Sequence, residues 1–401
     1  MKKIIYLFAL LLLFNSSFAQ WQNVSNEIGG LNVRALTSND SNTFAGTFLL
    51  LNNYGSSYPY GVWRSLNNGN NWTFTSLSLR ITNLFVYNSR LFASTNWEGN
   101  YYSDNNGANW TTMNMNRNIH KFSSNSTYLL AGADLGLYSS SDNGNNWSLI
   151  LNSSDVSNLL VKDNYILAGS GSSLNITSNN GANWDQISVG YSVYSLATNG
   201  TEIFAGTYNG GVLKSTNNGY NWAQTTSFNA SFIWALIAFG SNIIAGDNGG
   251  TGTFVSTNLG VTWTQKNEGL QGGSHSIYEL MNVNGYIFAG TTGGVYRRSL
   301  ENILSVNKIS ELVPSAYSLH QNYPNPFNPY TNIRFDIPRS SQVNLIIYDA
   351  LGREVATLVN EKLSAGSYET NWDGSSYPSG MYFYKLETDK FIYVRKMVMI
   401  K

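Results

Sequence analysis

The sequence predicts an all-β protein in which a seven-bladed β-propeller precedes a smaller β-sandwich. Two repeats indicate the propeller: an octapeptide that recurs six times and a strand landmark that recurs seven times. Charged residues make up only 11% of the chain and aromatic residues 14%, which favours many short strands joined by tight turns. Composition changes near residue 314, since only Pro59 of the seven prolines lies before it. We therefore expect a propeller over 20–303, a linker over 304–320 and a sandwich over 321–401.

Residues 1–19 have the order of a secretory signal peptide. Two lysines precede an apolar run at 4–14, and small residues follow as far as Ala19. The run is too short to span a bilayer, which takes roughly 20 apolar residues. We therefore expect export with cleavage after Ala19, and no transmembrane anchor in the mature chain.

The repeated octapeptide, first seen at 65–72, has the chemistry of a hairpin turn. Its hydroxyl and Asx side chains can bond the turn backbone, its glycine permits positive φ, and its tryptophan can enter an adjacent apolar layer. The terminal tryptophans are spaced by 38, 37, 37, 38 and 41 residues, at Trp72, Trp110, Trp147, Trp184, Trp222 and Trp263. The motif resembles the Asp-box, or BNR, repeat of sialidase-like β-propellers. That resemblance implies a fold and a structural role for the boxes.

A second landmark, an alanine after an apolar residue, predicts the number of blades. Seven copies are centred on Ala45, Ala93, Ala131, Ala168, Ala205, Ala245 and Ala289. The strand after the last copy ends at Ser299, and no octapeptide follows it. Trp21 precedes Ala45 by 24 residues, within the 21–26 residues that separate each octapeptide tryptophan from the next landmark alanine. We expect the Trp21 strand to complete the seventh blade, so that strand exchange closes the ring.

The innermost strands align as tetrapeptides whose first and fourth residues are always apolar. The second residue varies, as Arg34, Thr82, His120, Ser157, Tyr194, Trp234 and Tyr278. A repeat position that is not restricted to apolar residues can contact a ligand. An insertion in one loop of a repeat often lies on the binding face. The first blade has such an insertion at 48–60. The ligand-binding candidates are Arg34, His120, Tyr194, Trp234, Tyr278, Tyr58 and Tyr60.

Two interpretations of these residues remain open. They either fill a wet channel mouth, or they offer aromatic platforms and polar groups to a carbohydrate, a peptide or a surface protein. No metal is expected at His120, because His275 is the only other histidine before residue 304 and the chain has no cysteine. No cofactor is expected. A net charge of zero makes nucleic acid an unsuitable partner.

An enzyme is the alternative reading, since sialidase-like propellers include glycosidases. Their usual Arg-Ile-Pro signature is absent, although Arg34, Arg80 and Arg117 near the inner strands would suit an anion. Glycosidases need two carboxylates about 5–9.5 Å apart. The spacing pairs none of the available carboxylates, which are Asp134, Asp155, Asp247, Glu268 and Glu279. We expect no catalytic residues, and the alternative is a secreted glycoside hydrolase with an unrecognised carboxylate pair.

Residues 321–401 form a separate series of short alternating strands and turns, with a proline-rich start at 323–329 and a turn at 349–355. This pattern is typical of an Ig-like sandwich of about seven strands. The motifs resemble the type A sorting domain of type IX secretion, which is also similar to the Ig-like domain of flagellar hook-capping proteins. The resemblance implies recognition by an outer-membrane translocon and a secreted or cell-surface location, reached through the periplasm. An accessory Ig-like module without a transport role is the alternative.

Overall fold

A computed structural model describes residues 20–48, 59–304, 307–310, 313–374 and 377–401. The expected signal peptide at 1–19, Tyr58 and most of the 48–60 insertion lie outside these residues. Strands dominate the described chain, so the prediction of an all-β protein is confirmed. None of its helices is long and apolar enough to cross a membrane.

The described residues of 20–304 form seven antiparallel sheets, and strands that follow one another in the chain are neighbours within each sheet. After β1 (Gln22–Asn23), the first three sheets are built from β2 (Asn32–Ser38), β3 (Thr43–Phe48), β4 (Val62–Ser65) and β5 (Thr73–Phe74); from β6 (Ile81–Tyr87), β7 (Arg90–Thr95), β8 (Asn100–Ser103) and β9 (Thr111–Thr112); and from β10 (Ile119–Ser124), β11 (Leu129–Ser140) and β12 (Ser148–Asp155). In the third sheet, β11 passes without a break through positions that two strands occupy elsewhere, and its register shifts at Asp134–Gly136.

The next three sheets each have four strands. They consist of β13 (Asn158–Lys162), β14 (Tyr165–Ser170), β15 (Ser173–Thr177) and β16 (Asp185–Ser188); of β17 (Val193–Thr198), β18 (Ile203–Thr207), β19 (Val212–Ser215) and β20 (Ala223–Gln224); and of β21 (Ile233–Phe239), β22 (Asn242–Asp247), β23 (Gly252–Ser256) and β24 (Thr264–Gln265). Two 3-10 helices, Asn26–Ile28 and Gly272–His275, lie in connections.

The seventh sheet combines the two ends of this region. Its strands are β25 (Ile277–Val283), β26 (Tyr286–Thr291), β27 (Gly294–Ser299) and, on the outside, β1. Gln22 faces Arg297 and Asn23 faces Tyr296 in an antiparallel register. The pairing predicted for the Trp21 segment is therefore present. It covers an edge of β27 that would otherwise be open to another chain.

The sheets pack side by side in a closed cycle. The first strand of each sheet contacts the first strand of the next, and β25 of the seventh sheet contacts β2 of the first. The apolar core lies between adjacent sheets; one cluster joins Ala35 and Phe44 of the first sheet to Ile81 and Leu84 of the second. The first residue of every inner tetrapeptide is at most 2% exposed, as the alignment predicts.

The octapeptides form the predicted turns. In the first copy, the Gly69 N–H donates to Ser65 Oγ at 2.9 Å and the Asn71 N–H donates to Asn67 Oδ1 at 2.9 Å. Gly69 has a φ of 79°, a conformation that glycine adopts without strain. The hydrogen bond from the glycine N–H to the Ser or Thr hydroxyl oxygen recurs in the other five copies. Of the six tryptophans only Trp72 is buried, and the other five are partly exposed.

Residues 304–320, expected to be a linker, contain strands. The short helix α1 (Leu300–Leu304) follows β27, and β28 (Asn307–Ser310) and β29 (Ser318–Leu319) then join a sheet formed by later residues. Strands of four and two residues are too short to show the alternation by which a strand is recognised in a sequence.

Together with β28 and β29, the six remaining strands form two antiparallel four-stranded sheets. They are β30 (Tyr330–Ile337), β31 (Ser341–Asp349), β32 (Glu354–Leu363), β33 (Gly366–Asp373), β34 (Gly380–Thr388) and β35 (Ile392–Met399). The strand orders are β28-β33-β30-β29 and β32-β31-β34-β35. Side chains of both sheets, among them Phe335, Trp372 and Tyr384, share one buried apolar core.

Candidate functional site

A β-bulge sets the direction of the variable residue on most inner strands. In the first sheet Val33 faces Thr47 and Ala35 faces Gly46, so Arg34 has no partner across the ladder. The same register shift occurs at Thr82, His120, Tyr194, Trp234 and Tyr278. A bulge leaves its extra residue outside the ladder and re-aims the side chain. In the fourth sheet, Ser157 directly precedes β13 instead.

All seven variable residues line one cavity of about 290 Å³. The structure thus brings together five of the ligand-binding candidates, namely Arg34, His120, Tyr194, Trp234 and Tyr278. Lys121 and Glu279, which follow two of these residues in the chain, also line it. A cavity near 300 Å³ is at the small end of the range that proteins use for small ligands.

One side of the cavity is aromatic. Tyr194 stacks on Trp234 with ring centroids 5.2 Å apart and planes at 26°. Phe232 meets both rings edge-on, at 4.5 and 5.1 Å. Trp234 remains 38% exposed, so part of this aromatic stack is accessible to a ligand. Sequence analysis missed Phe232, although it directly precedes the inner tetrapeptide of the sixth sheet.

Arg34 is the cation of the cavity that has no anionic partner among the described residues. Its guanidinium carbon lies 3.9 Å from the centroid of the Phe48 ring and 5.1 Å from that of Tyr278. Its Nε is shielded from solvent without a hydrogen-bond partner, and no described carboxylate forms an ion pair with it. The two rings therefore hold a positive charge that an anion could neutralise.

Lys121 and Glu279 form an ion pair across the ring. Lys121 Nζ lies 3.3 Å from Glu279 Oε2, and both side chains are partly exposed. Lys121 belongs to β10 of the third sheet and Glu279 to β25 of the seventh, which are not adjacent sheets. The pair therefore links opposite parts of the cavity wall and neutralises both charges.

His120 contacts two carboxylates that the sequence did not pair. Its Nε2 lies 2.9 Å from Asp134 Oδ1 and 2.9 Å from Asp155 Oδ1. Asp134 and Asp155 are opposite each other in the register of β11 and β12. The expectation that His120 could not be a metal ligand rested on the lack of a second histidine or a cysteine. That reason is incomplete, because carboxylates supply the neighbouring donor atoms.

Other candidates lie elsewhere. Tyr60 packs against the apolar cluster of Trp63 and Trp72 and does not line the cavity. Arg80 and Arg117 do not line it either, so the three arginines do not form one anion site; Arg117 borders a smaller hollow of about 110 Å³.

Two of the carboxylates considered for catalysis have structural partners. Asp247 is buried and accepts N–H bonds from Phe232 and Thr251, at 2.8 and 3.0 Å. Glu268 Oε2 lies 2.8 Å from Arg298 Nη1. These contacts hold loops and strands in place, and neither carboxylate lines the cavity.

Comparison with known families identifies the last part of the chain. Residues 321–401 match the secretion system C-terminal sorting domain. The chain therefore carries a type IX sorting domain, which implies export to the cell surface or secretion and interaction with the type IX system. Among curated protein sequences, none matches the chain.

Several solved structures are similar to the chain at low sequence identity. YCF48 from Cyanidioschyzon merolae has a TM-score of 0.56 and 11% identity, over 70% of this chain and 98% of that one. YCF48 bound to D1 peptide gives 0.55 and 12%, over 70% and 94%. PorZ, a surface component of the type IX secretion system of Porphyromonas gingivalis, gives 0.51 and 14%, over 91% of this chain and 59% of PorZ. These likenesses show a β-propeller-like fold.

Proposed function

We propose that the chain is an exported, non-catalytic binding protein whose central cavity takes a carbohydrate, a peptide or part of a surface protein. In this proposal the seven sheets of 20–303 are the blades of an Asp-box propeller, and the two last sheets are an Ig-like sandwich that delivers it. Residues 1–19 are its signal peptide. The observation that carries the proposal is the cavity of about 290 Å³, which is lined by the second residue of the inner tetrapeptide in all seven sheets.

The contacts of the cavity indicate an anionic ligand with a flat face. Arg34 offers a positive charge that no described carboxylate neutralises, and Trp234 of the Tyr194–Trp234 stack is partly exposed. Aromatic faces bind the apolar faces of sugars and planar side chains, and guanidinium groups bind carboxylates in bidentate fashion. An acidic carbohydrate or a carboxylate-bearing peptide fits this combination. A peptide complex of YCF48, whose fold is similar, supports the second class.

The closeness of Asp134 and Asp155 raises the alternative of a glycoside hydrolase. Their oxygens and His120 Nε2 all lie within 4.8 Å of one another. A glycosidic bond must fit between carboxylates about 5–9.5 Å apart, and here the imidazole occupies the space between them. This arrangement favours binding over hydrolysis.

The test is a screen of the full chain against acidic and neutral glycans and carboxylate-bearing peptides, with binding and turnover both measured. We expect binding without turnover, at least tenfold weaker in a Trp234→Ala variant and in an Arg34→Met variant. The control is Tyr393→Ala, which removes an exposed aromatic side chain from β35 and should bind normally. Turnover of a glycan would favour the hydrolase, and binding that survives both cavity variants would place the ligand elsewhere.

A further inference from the structure

We infer that His120, Asp134 and Asp155 form a binding site for a divalent transition-metal cation such as Zn²⁺ at the wall of the cavity. This site is additional to the proposed ligand-binding role and does not depend on it. Its ligands are one imidazole nitrogen and two carboxylate oxygens, a mixture that suits Zn²⁺ better than the all-oxygen shells of Ca²⁺ and Mg²⁺.

The three donor atoms already have nearly the spacing that a metal requires. His120 Nε2 lies 2.9 Å from an oxygen of each aspartate, and all three atoms lie within 4.8 Å of one another. Tetrahedral Zn²⁺ with bonds of about 2.0–2.2 Å holds its ligand atoms roughly 3.3–3.6 Å apart. A widening of about 0.4–0.7 Å at each His120 contact, with the two aspartate oxygens at the same separation, would admit the ion.

The hydrogen bonding of the cluster is incomplete without a cation. An imidazole carries at most one hydrogen on Nε2, so Nε2 cannot donate a full hydrogen bond to both Asp134 Oδ1 and Asp155 Oδ1. Asp155 Oδ1 is screened from solvent, and among the described residues it has no hydrogen-bond donor besides the His120 Nε2 that it shares with Asp134. No described lysine or arginine forms an ion pair with either aspartate. A dication would bind both oxygens and neutralise both carboxylates.

The sheet holds the three side chains on adjacent strands. His120 is the bulged residue of β10, Asp134 lies in β11, and Asp155 ends β12 opposite Asp134. Ligands on paired strands are positioned more firmly than ligands on loops. None of the other variable inner-strand residues is a histidine, so this ligand set is specific to the third sheet.

Three protein ligands leave the fourth position of a tetrahedral ion open. Because His120 also lines the cavity, a bound ion would add positive charge to the cavity wall. It would also offer a coordination position to a carboxylate or hydroxyl oxygen of a ligand.

Isothermal titration of the chelator-stripped full chain with ZnCl₂ at pH 7.5 tests the inference. We expect one strong site per chain, with affinity reduced at least 100-fold by His120→Gln and by Asp155→Asn. Asp155→Asn keeps the side-chain shape and so serves if His120→Gln fails to fold. The matched control is His320→Gln, which removes a histidine whose Nε2 lies 2.7 Å from Asp336 and should leave the strong site intact.

Three results would overturn the inference. These are no Zn²⁺ binding at micromolar concentration, a strong site that His320→Gln removes while His120→Gln does not, and tighter binding of Ca²⁺ or Mg²⁺ than of Zn²⁺ in parallel titrations. As a second readout, X-ray absorption at the zinc edge should show one imidazole with oxygen ligands, and the imidazole contribution should disappear in His120→Gln.

Discussion

Trp21 donates its indole N–H to the carbonyl oxygen of Lys266 at 2.7 Å, across 245 residues of chain. Its backbone N–H also donates to the Glu268 carbonyl at 2.7 Å, and its ring is 1% exposed in a cluster with Ile277 and Tyr296. One residue at the start of the described chain thus joins the end of the sixth sheet to the seventh. The ring of sheets is closed by side-chain packing as well as by the β1–β27 ladder.

We predict that Trp21→Ala destabilises the propeller by about 3–5 kcal/mol, the usual cost of removing a buried tryptophan. Chemical denaturation of the full chain measures it. Trp97→Ala is the control, because Trp97 is 74% exposed and surface substitutions usually change stability by less than about 0.5 kcal/mol. Equal denaturation curves for Trp21→Ala and the unaltered chain would show that the ring does not need this closure.

The octapeptide tryptophans should differ in their contribution to stability. Trp72 is 4% exposed and donates to the Val24 carbonyl at 2.7 Å, whereas Trp147 is partly exposed and bonds only the nearby Gly144 carbonyl. We expect Trp72→Ala to cost about 3–5 kcal/mol and Trp147→Ala to cost less, within the about 0.5–3 kcal/mol typical of single substitutions. The same denaturation experiment compares them. A larger loss at Trp147 would mean that burial is not the source of the effect.

The hydrogen bonds of Asp142 predict that the free energy of unfolding depends on pH. Hydrogen bonds lower its pKa from 3.8 to about 2, first from the Asn146 N–H, then from the Asn146 side chain and the Ser140 hydroxyl. Because the folded pKa is the lower one, the carboxylate stabilises the fold above about pH 3.8, and this contribution disappears as the pH falls towards 2. The other five octapeptides have asparagine at this position, so Asp142→Asn should fold.

The measurement is the denaturation midpoint of both chains between pH 2 and 5 at constant salt. We expect the unaltered chain to lose more stability on acidification than Asp142→Asn, so that the difference between them changes steadily through this window. A difference that stays constant with pH would contradict the hydrogen-bonding account of Asp142.

Repeats explain why much of the fold could be predicted from the sequence. The octapeptide turns depend on contacts within a few residues, such as Gly69 N–H to Ser65 Oγ, and such contacts recur with the motif. The residues that line the cavity could be predicted because the second residue of the inner tetrapeptide takes the same place in every repeat. The convergence of His120 with Asp134 and Asp155 could not, since it depends on the bulge in β10 and on the β11–β12 register. The packing of Tyr60 against the Trp63 and Trp72 cluster could not be predicted, because the length of an insertion does not tell which of its side chains face the core.

Delivery by residues 321–401 is the claim on which the surface role depends most directly. The described β1 and β25–β27 complete the seventh sheet by Ser299, and the sorting domain begins only at 321. The test is fractionation of a host that has a type IX system. The host expresses either the full chain or a chain that ends at residue 304. We predict the full chain outside the cell or on its surface, and the shortened chain folded in the periplasm. Surface display of the shortened chain as efficient as that of the full chain would contradict the account.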